Sequence, residues 1–235
     1  MTPIKSQSEK QEPILLGIES SGVTCAVGVS QGDELLTEIA AHVRNIHSQK
    51  LAPFVQQMLD IAGFSASDVN AIVLSAGPGS FTGLRIGYSV AKGLAHALNI
   101  PVIEVPTLDI WAYQAGRQTI EVVPVINAHR GEIFCAAFRW DNDEMKKIRE
   151  DALISPKDLN ELFASTILLT GADSQQLFSE LEPHLPAQSE QIQPIQAYPQ
   201  MWALMTLGLE KYQNEQFSDI NTCEPLYLRA FKGQM

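Results

Sequence analysis

SAGPGSFTGLRIGYSVAKGLAHAL, residues 75–98, is the stretch from which the fold can be read. It follows Ala71-Ile72-Val73-Leu74, an apolar run with the length and β-branched content of a buried strand. Gly77-Pro78-Gly79 then makes a turn with two residues free to take positive φ. Ser80 and Thr82 each suit a helix start, where a side-chain oxygen accepts a free backbone N–H. The pattern is helical from Phe81 to Leu98, after which Asn99 offers a left-handed stop and Pro101 forbids continuation.

This helix carries two unequal stripes. Ile86, Val90, Leu94 and Leu98 form a bulky ridge, and Gly83, Gly87, Ala91 and Ala95 form a groove almost without side chains. Arg85, Ser89, Lys92 and His96 fall on the remaining face. Gly83, Gly87 and Gly93 together cost about 3 kcal/mol relative to alanine, so helix propensity did not select them. A groove of this kind lets another element approach closely. Two occupants suit it: the protein's own sheet, or a helix of another chain.

The glycine turn matches neither standard phosphate fingerprint. In a Walker loop the lysine follows the second glycine, whereas Lys92 precedes Gly93 deep in the helix. In the dinucleotide pattern the third glycine would fall one residue earlier than Gly83.

Outward from this stretch, Ile14-Leu15-Leu16-Gly17-Ile18-Glu19 reads as a buried strand, 23–29 as a second and 34–41 as a more exposed third. Tight turns at Ser20-Ser21-Gly22 and Gln31-Gly32-Asp33 make these an antiparallel meander. His47–Ala62 is an amphipathic helix with Leu51, Phe54, Val55, Met58 and Leu59 on its apolar face, ended by Gly63. A strand at 101–105 and a helix at 108–114 follow. The order βββαβα, then β, differs from a doubly wound fold, which would alternate from the start. It resembles one half of an actin-like (ASKHA, ribonuclease H-like) domain, an α/β fold of two subdomains with mixed sheets.

In the second half, 122–126 and 132–138 read as a hairpin across Asn127-Ala128-His129-Arg130-Gly131, a polar cluster that could face a cleft or serve only as the turn. A short helix opens at Ser155-Pro156, 167–170 is a strand, 185–194 loop-like, 198–212 the last helix and 224–229 extended. The expected division is a loose tail at 1–12, a first subdomain at 13–106 and a second at 107–235, with the last helix or tail free to return to the first.

Composition narrows the functions. The net charge of −11 argues against this chain alone gripping a phosphate backbone. Cys25, Cys135 and Cys223 are far apart and form no C-x-x-C pair, as expected of reduced cysteines in a cytoplasmic protein. The polar start, MTPIKSQSEKQE, does not read as a secretory leader, and no apolar run is long enough to cross a membrane. No nucleophile elbow is present, and the five histidines are scattered. Glu19 is placed either to contact a metal–nucleotide complex or to stabilise its own turn. No catalytic, cofactor-binding or metal-binding residue is assigned.

GPGSFTGLRIG with AKGLA, supported by ILLGIESSGVTCAVGV, PVINAHRGEIFCAAF and PLYLR, resembles the bacterial tRNA threonylcarbamoyladenosine biosynthesis family TsaB (older name YeaZ) over most of the chain. Glu19 and Asn127 stand where that family usually has Asp. The resemblance implies a non-catalytic actin-like subunit. It would pair with the catalytic TsaD and the ATPase TsaE to transfer threonylcarbamoyl from its adenylate to the adenosine 3′ of the anticodon, meeting tRNA only through the complex. TsaD carries a metal-binding H-x-x-x-H after the strand that follows its glycine helix; here the matching positions are Thr107 and Trp111, neither a plausible ligand. The resemblance puts the partner face on the two helices, at Leu51, Phe54, Val55, Met58, Gly83, Gly87, Val90, Ala91, Leu94 and Ala95, and the same face could close a homodimer without the partner. The alternative is a self-sufficient actin-fold kinase or peptidase.

Overall fold

The computed structural model describes residues 12–163, 165–171, 179–186, 189–191 and 198–228. The tail up to 11, Arg229 and parts of the 185–194 loop lie outside the described residues.

Two five-stranded mixed sheets repeat one plan. In the first, β1 (Ile14–Glu19), β2 (Thr24–Gln31) and β3 (Glu34–His42) form the antiparallel meander, and β4 (Ala71–Ser75) and β5 (Val102–Val105) extend it parallel to β1, in the order β3-β2-β1-β4-β5. In the second, β6 (Glu121–His129), β7 (Glu132–Asp141) and β8 (Glu144–Ile154) form the meander, and β9 (Ile167–Gly171) and β10 (Glu190–Gln191) extend it, in the order β10-β9-β6-β7-β8. This duplicated βββαβ plan is the actin-like fold expected from the sequence.

Helix α1 (His47–Ala62) ends at Gly63, whose φ of 78° closes the last turn in the left-handed region. Helix α2 (Phe81–Leu98) begins as expected: the Ser80 hydroxyl accepts the Gly83 N–H, and Asn99 stops the helix at φ 54°. Both helices cover one face of the first sheet, where Leu16, Ile18, Ile72 and Leu74 meet Leu51, Val55, Tyr88 and Ala91. A third helix, α3 (Thr107–Gln114), lies between the sheets: Ile110 packs with the first, and Leu108, Trp111 and Ala112 with the second. A short α4 (Leu159–Leu162) covers the far side of the second sheet through Leu159.

The last helix, α5 (Met201–Gln213), returns to the open face of the first sheet, packing Met201, Leu204 and Met205 on Leu15, Val73 and Ile103. β1 is thus buried on both faces, which is why its sequence is apolar without alternation. The sequence predicts no strand at 144–154. EMKKIREDALI is mostly charged, and only the ladder with β7 makes it a strand.

Candidate functional site

The turn after β1 is held by its own side chains. Glu19 is 1% exposed, and its Oε1 accepts the Ser21 N–H at 2.7 Å and the Ser21 hydroxyl at 2.5 Å. Burial pushes the Glu19 carboxyl up to about 7, against the lowering effect of those bonds. The Ser80 N–H donates to the Ser21 carbonyl at 2.6 Å, fixing the start of α2 on this turn. A β-carbon on Gly79 would stand 2.1 Å from the Ser21 oxygen, one on Gly83 2.2 Å from the Ser20 oxygen, and one on Gly87 2.1 Å from Ser20 Oγ.

Most of the expected partner-face residues pack within this chain. The stripe Gly83, Gly87, Ala91 and Ala95 is no open groove: its residues are buried on the β1–β2 turn and the first sheet. Leu51, Val55 and Met58 are likewise buried beneath α1. The physical reason is that the turn has to come within backbone contact of α2, and only residues without bulk allow it. Of the expected set, Phe54, Val90 and Leu94 remain half-exposed. Ile61, 62% exposed, lies on the same helix pair, and a β-carbon on Gly93 would meet nothing within 4 Å.

The β1–β2 turn faces the β6–β7 turn across a cleft of about 1570 Å³. Here too a side chain closes the loop, since Asn127 Oδ1 accepts the His129 N–H at 2.7 Å. His129, Arg130 and Gly131 all have positive φ, at 61°, 60° and 77°. Thr107 and Trp111 also line the cleft and are buried; Thr107 Oγ1 accepts the Gly77 N–H at 3.1 Å, and the Thr107 N–H donates to the Gly77 carbonyl at 2.7 Å. Among the described residues, no three His, Cys, Asp or Glu side chains gather as a metal site would require. The three cysteines are free and buried, and among the described residues no helix is long and apolar enough to cross a membrane.

Three arginines line the cleft from separate elements: Arg44 between β3 and α1, Arg85 on α2 and Arg130 on the β6–β7 turn. The Arg85 guanidinium lies 3.8 Å over the Phe81 ring, and its Nε donates to Tyr227 Oη at 3.1 Å. Tyr227 is carried there by the segment after α5, which ties itself to the first sheet through the Leu226 N–H and the Ala76 carbonyl at 2.8 Å. Sequence reading does not single out Arg44 or Tyr227, because nothing in their local patterns signals that the chain returns to one cleft.

Residues 38–197 match the family model for TsaD, tRNA N6-adenosine threonylcarbamoyltransferase. The chain is 27% identical over 223 residues to the tRNA threonylcarbamoyladenosine biosynthesis protein TsaB of Bacillus subtilis, covering 94% of this chain and 96% of that protein. It is 33% identical over 150 residues to TsaB of Escherichia coli, covering 63% and 64%. The solved structure of YeaZ from Pseudomonas aeruginosa superimposes with a TM-score of 0.80 at 27% identity, covering 92% of this chain and 100% of that one. The chain belongs to the tRNA N6-adenosine threonylcarbamoyltransferase family, in its TsaB (YeaZ) branch.

Proposed function

We propose that this protein serves the formation of N6-threonylcarbamoyladenosine in tRNA as a non-catalytic subunit, pairing with the catalytic TsaD and working with the ATPase TsaE. One observation carries the reading. Three polar side chains of the cleft's turns are engaged in holding the fold. Glu19 closes on Ser21, Asn127 on His129 and Thr107 on Gly77. A turn amide bonded to its own side chain is not offered to a phosphate.

The partner face of this reading is the outer side of α1 and α2. Phe54, Val90 and Leu94 are half-exposed there and Ile61 is exposed. Gly93 costs the helix about 1 kcal/mol against alanine, and a side chain there would meet nothing in this chain. Close approach of a second helix gives that glycine a purpose. The same face would close a homodimer when TsaD is absent.

The test is co-elution with TsaD, together with mass spectrometry of tRNA from cells whose own copy is replaced. The variants Leu94→Glu and Gly93→Leu are expected to abolish co-elution and sharply reduce the modified nucleoside while leaving the monomer folded. Formation of the nucleoside from the threonylcarbamoyl adenylate by this chain alone would sink the non-catalytic reading. A large thermal shift with ATP and magnesium would favour a kinase instead.

A further inference from the structure

We infer that the cleft between the two sheets binds a single-stranded segment of RNA, held by Arg44, Arg85 and Arg130 and stacked against Phe81 and Tyr227.

The charge distribution points there first. The chain has 27 acidic and 16 basic residues, so an ordinary patch of its surface is acidic. Yet three exposed arginines line one cleft whose lining includes a single carboxylate, Glu132. Among the described residues, the ion pairs are those of Arg117, Arg139, Lys146 and Lys147, and none involves the three cleft arginines. Three cations gathered from separate elements around a single carboxylate concentrate positive potential in a protein that is otherwise negative. Arg130 also occupies a left-handed position, φ 60°, which costs a residue with a side chain about 1–2 kcal/mol.

The chemistry of the ligand follows from what the cleft offers. The Ser21, Ser80 and His129 amides of its turns are bonded internally, and the long arginine side chains are what the cleft offers an extended anion. Phe81 and Tyr227 are each 39% exposed, their centroids 5.4 Å apart, with the Arg85 guanidinium over the Phe81 ring. Aromatic rings and a guanidinium plane beside arginines are the means by which single strands are held, with bases stacked and phosphates paired. An acidic protein segment would use the arginines but has no need of the ring faces. The identity of the RNA, unpaired nucleotides of a tRNA loop, rests on the proposed function; the site itself does not.

The test is fluorescence anisotropy of the full chain with a labelled RNA hairpin whose loop is unpaired, at low ionic strength because the rest of the surface repels RNA. Arg44→Glu with Arg130→Glu is expected to weaken binding by at least about tenfold, and Lys157→Glu, outside the cleft, by less than about twofold. Three phosphate contacts predict a slope of about −2 for log affinity against log salt, lost in the double variant. A thiouridine-labelled loop is expected to crosslink to Tyr227 or Phe81. Unchanged binding in the double variant, or crosslinks only outside the cleft, would overturn the proposal. So would binding of labelled poly-glutamate with no binding of the hairpin, which would assign the cleft to an acidic protein. If the chain supports tRNA modification in cells while the cleft variants bind RNA normally, this inference fails alone. If its loss leaves modification intact while hairpin binding depends on the cleft, the proposed function fails and the site stands.

Discussion

The carbonyl oxygen of Ser20 stands 2.2 Å from where a β-carbon on Gly83 would be. The first turn of the chain and the first turn of α2 are therefore in backbone contact, and the Ser80 N–H to Ser21 carbonyl bond beside it fixes their register. Whatever the cleft does, one of its walls is set by this junction.

Gly83→Ala is expected to destabilise the protein by about 1–3 kcal/mol, because the atom that must move is backbone. Gly93→Ala is expected to stabilise it by up to about 1 kcal/mol, since the new methyl meets nothing and the helix gains propensity. Urea denaturation of the two variants checks both signs. Equal effects would show that the stripe is not packed as described.

Glu19 makes a pH prediction. Its carboxyl is raised by burial from 4.5 to about 7. Below the lower value both folded and unfolded chains hold the proton. Between the two values the unfolded chain releases it while the folded chain keeps it, so folding stability falls as pH rises. The total is about 3 kcal/mol, lost by the time the pH has passed through the folded value. Glu19→Gln is expected to flatten this part of the stability profile, raising stability at about pH 8 and changing little at about pH 5. Thermal denaturation across that range is the measurement.

Lys147 lies 2.7 Å from Asp109 on α3 and 2.9 Å from Asp151 on its own strand, with the three side chains 19%, 23% and 8% exposed. Lys147→Met removes the cation that bridges the two carboxylates, and is expected to cost about 3 kcal/mol at neutral pH. Burial raises the Asp109 carboxyl even beside Lys147, so the variant's deficit is expected to shrink in mild acid as Asp109 takes up a proton. Chemical denaturation at two pH values distinguishes this from a simple loss of packing.

Tyr227→Phe removes the hydroxyl that accepts from Arg85 Nε but keeps the ring beside Phe81. It is expected to leave hairpin binding within about twofold of the wild type, whereas Tyr227→Ala should lose both the stack and the loop crosslink. Anisotropy on the two variants separates the ring's contribution from the hydroxyl's.

The meander, α1, α2 and its caps, and the hairpin at 121–141 could all be read from the chain, because each is governed by residues close in sequence: apolar runs between tight turns, a serine at the helix start, an asparagine and a glycine at the stops. The small-residue stripe was equally visible, but the side on which its neighbour lies was not. A periodic pattern shows that something approaches closely, and either a sheet or a second chain satisfies it. β8 was hidden because a strand stabilised by its partner's ladder need not be apolar itself.

The sequence alone determined the order of elements in the first half, the limits of α1 and α2 and the lack of standard phosphate and metal patterns, since local backbone preferences and spacing suffice for these. Tertiary structure alone decided that the glycines of α2 hold the β1–β2 turn, that α5 closes the far face of the first sheet, and that Arg44, Arg85, Arg130 and Tyr227 share one cleft. These residues lie far apart along the chain, and only the packing of two repeated sheets brings them together.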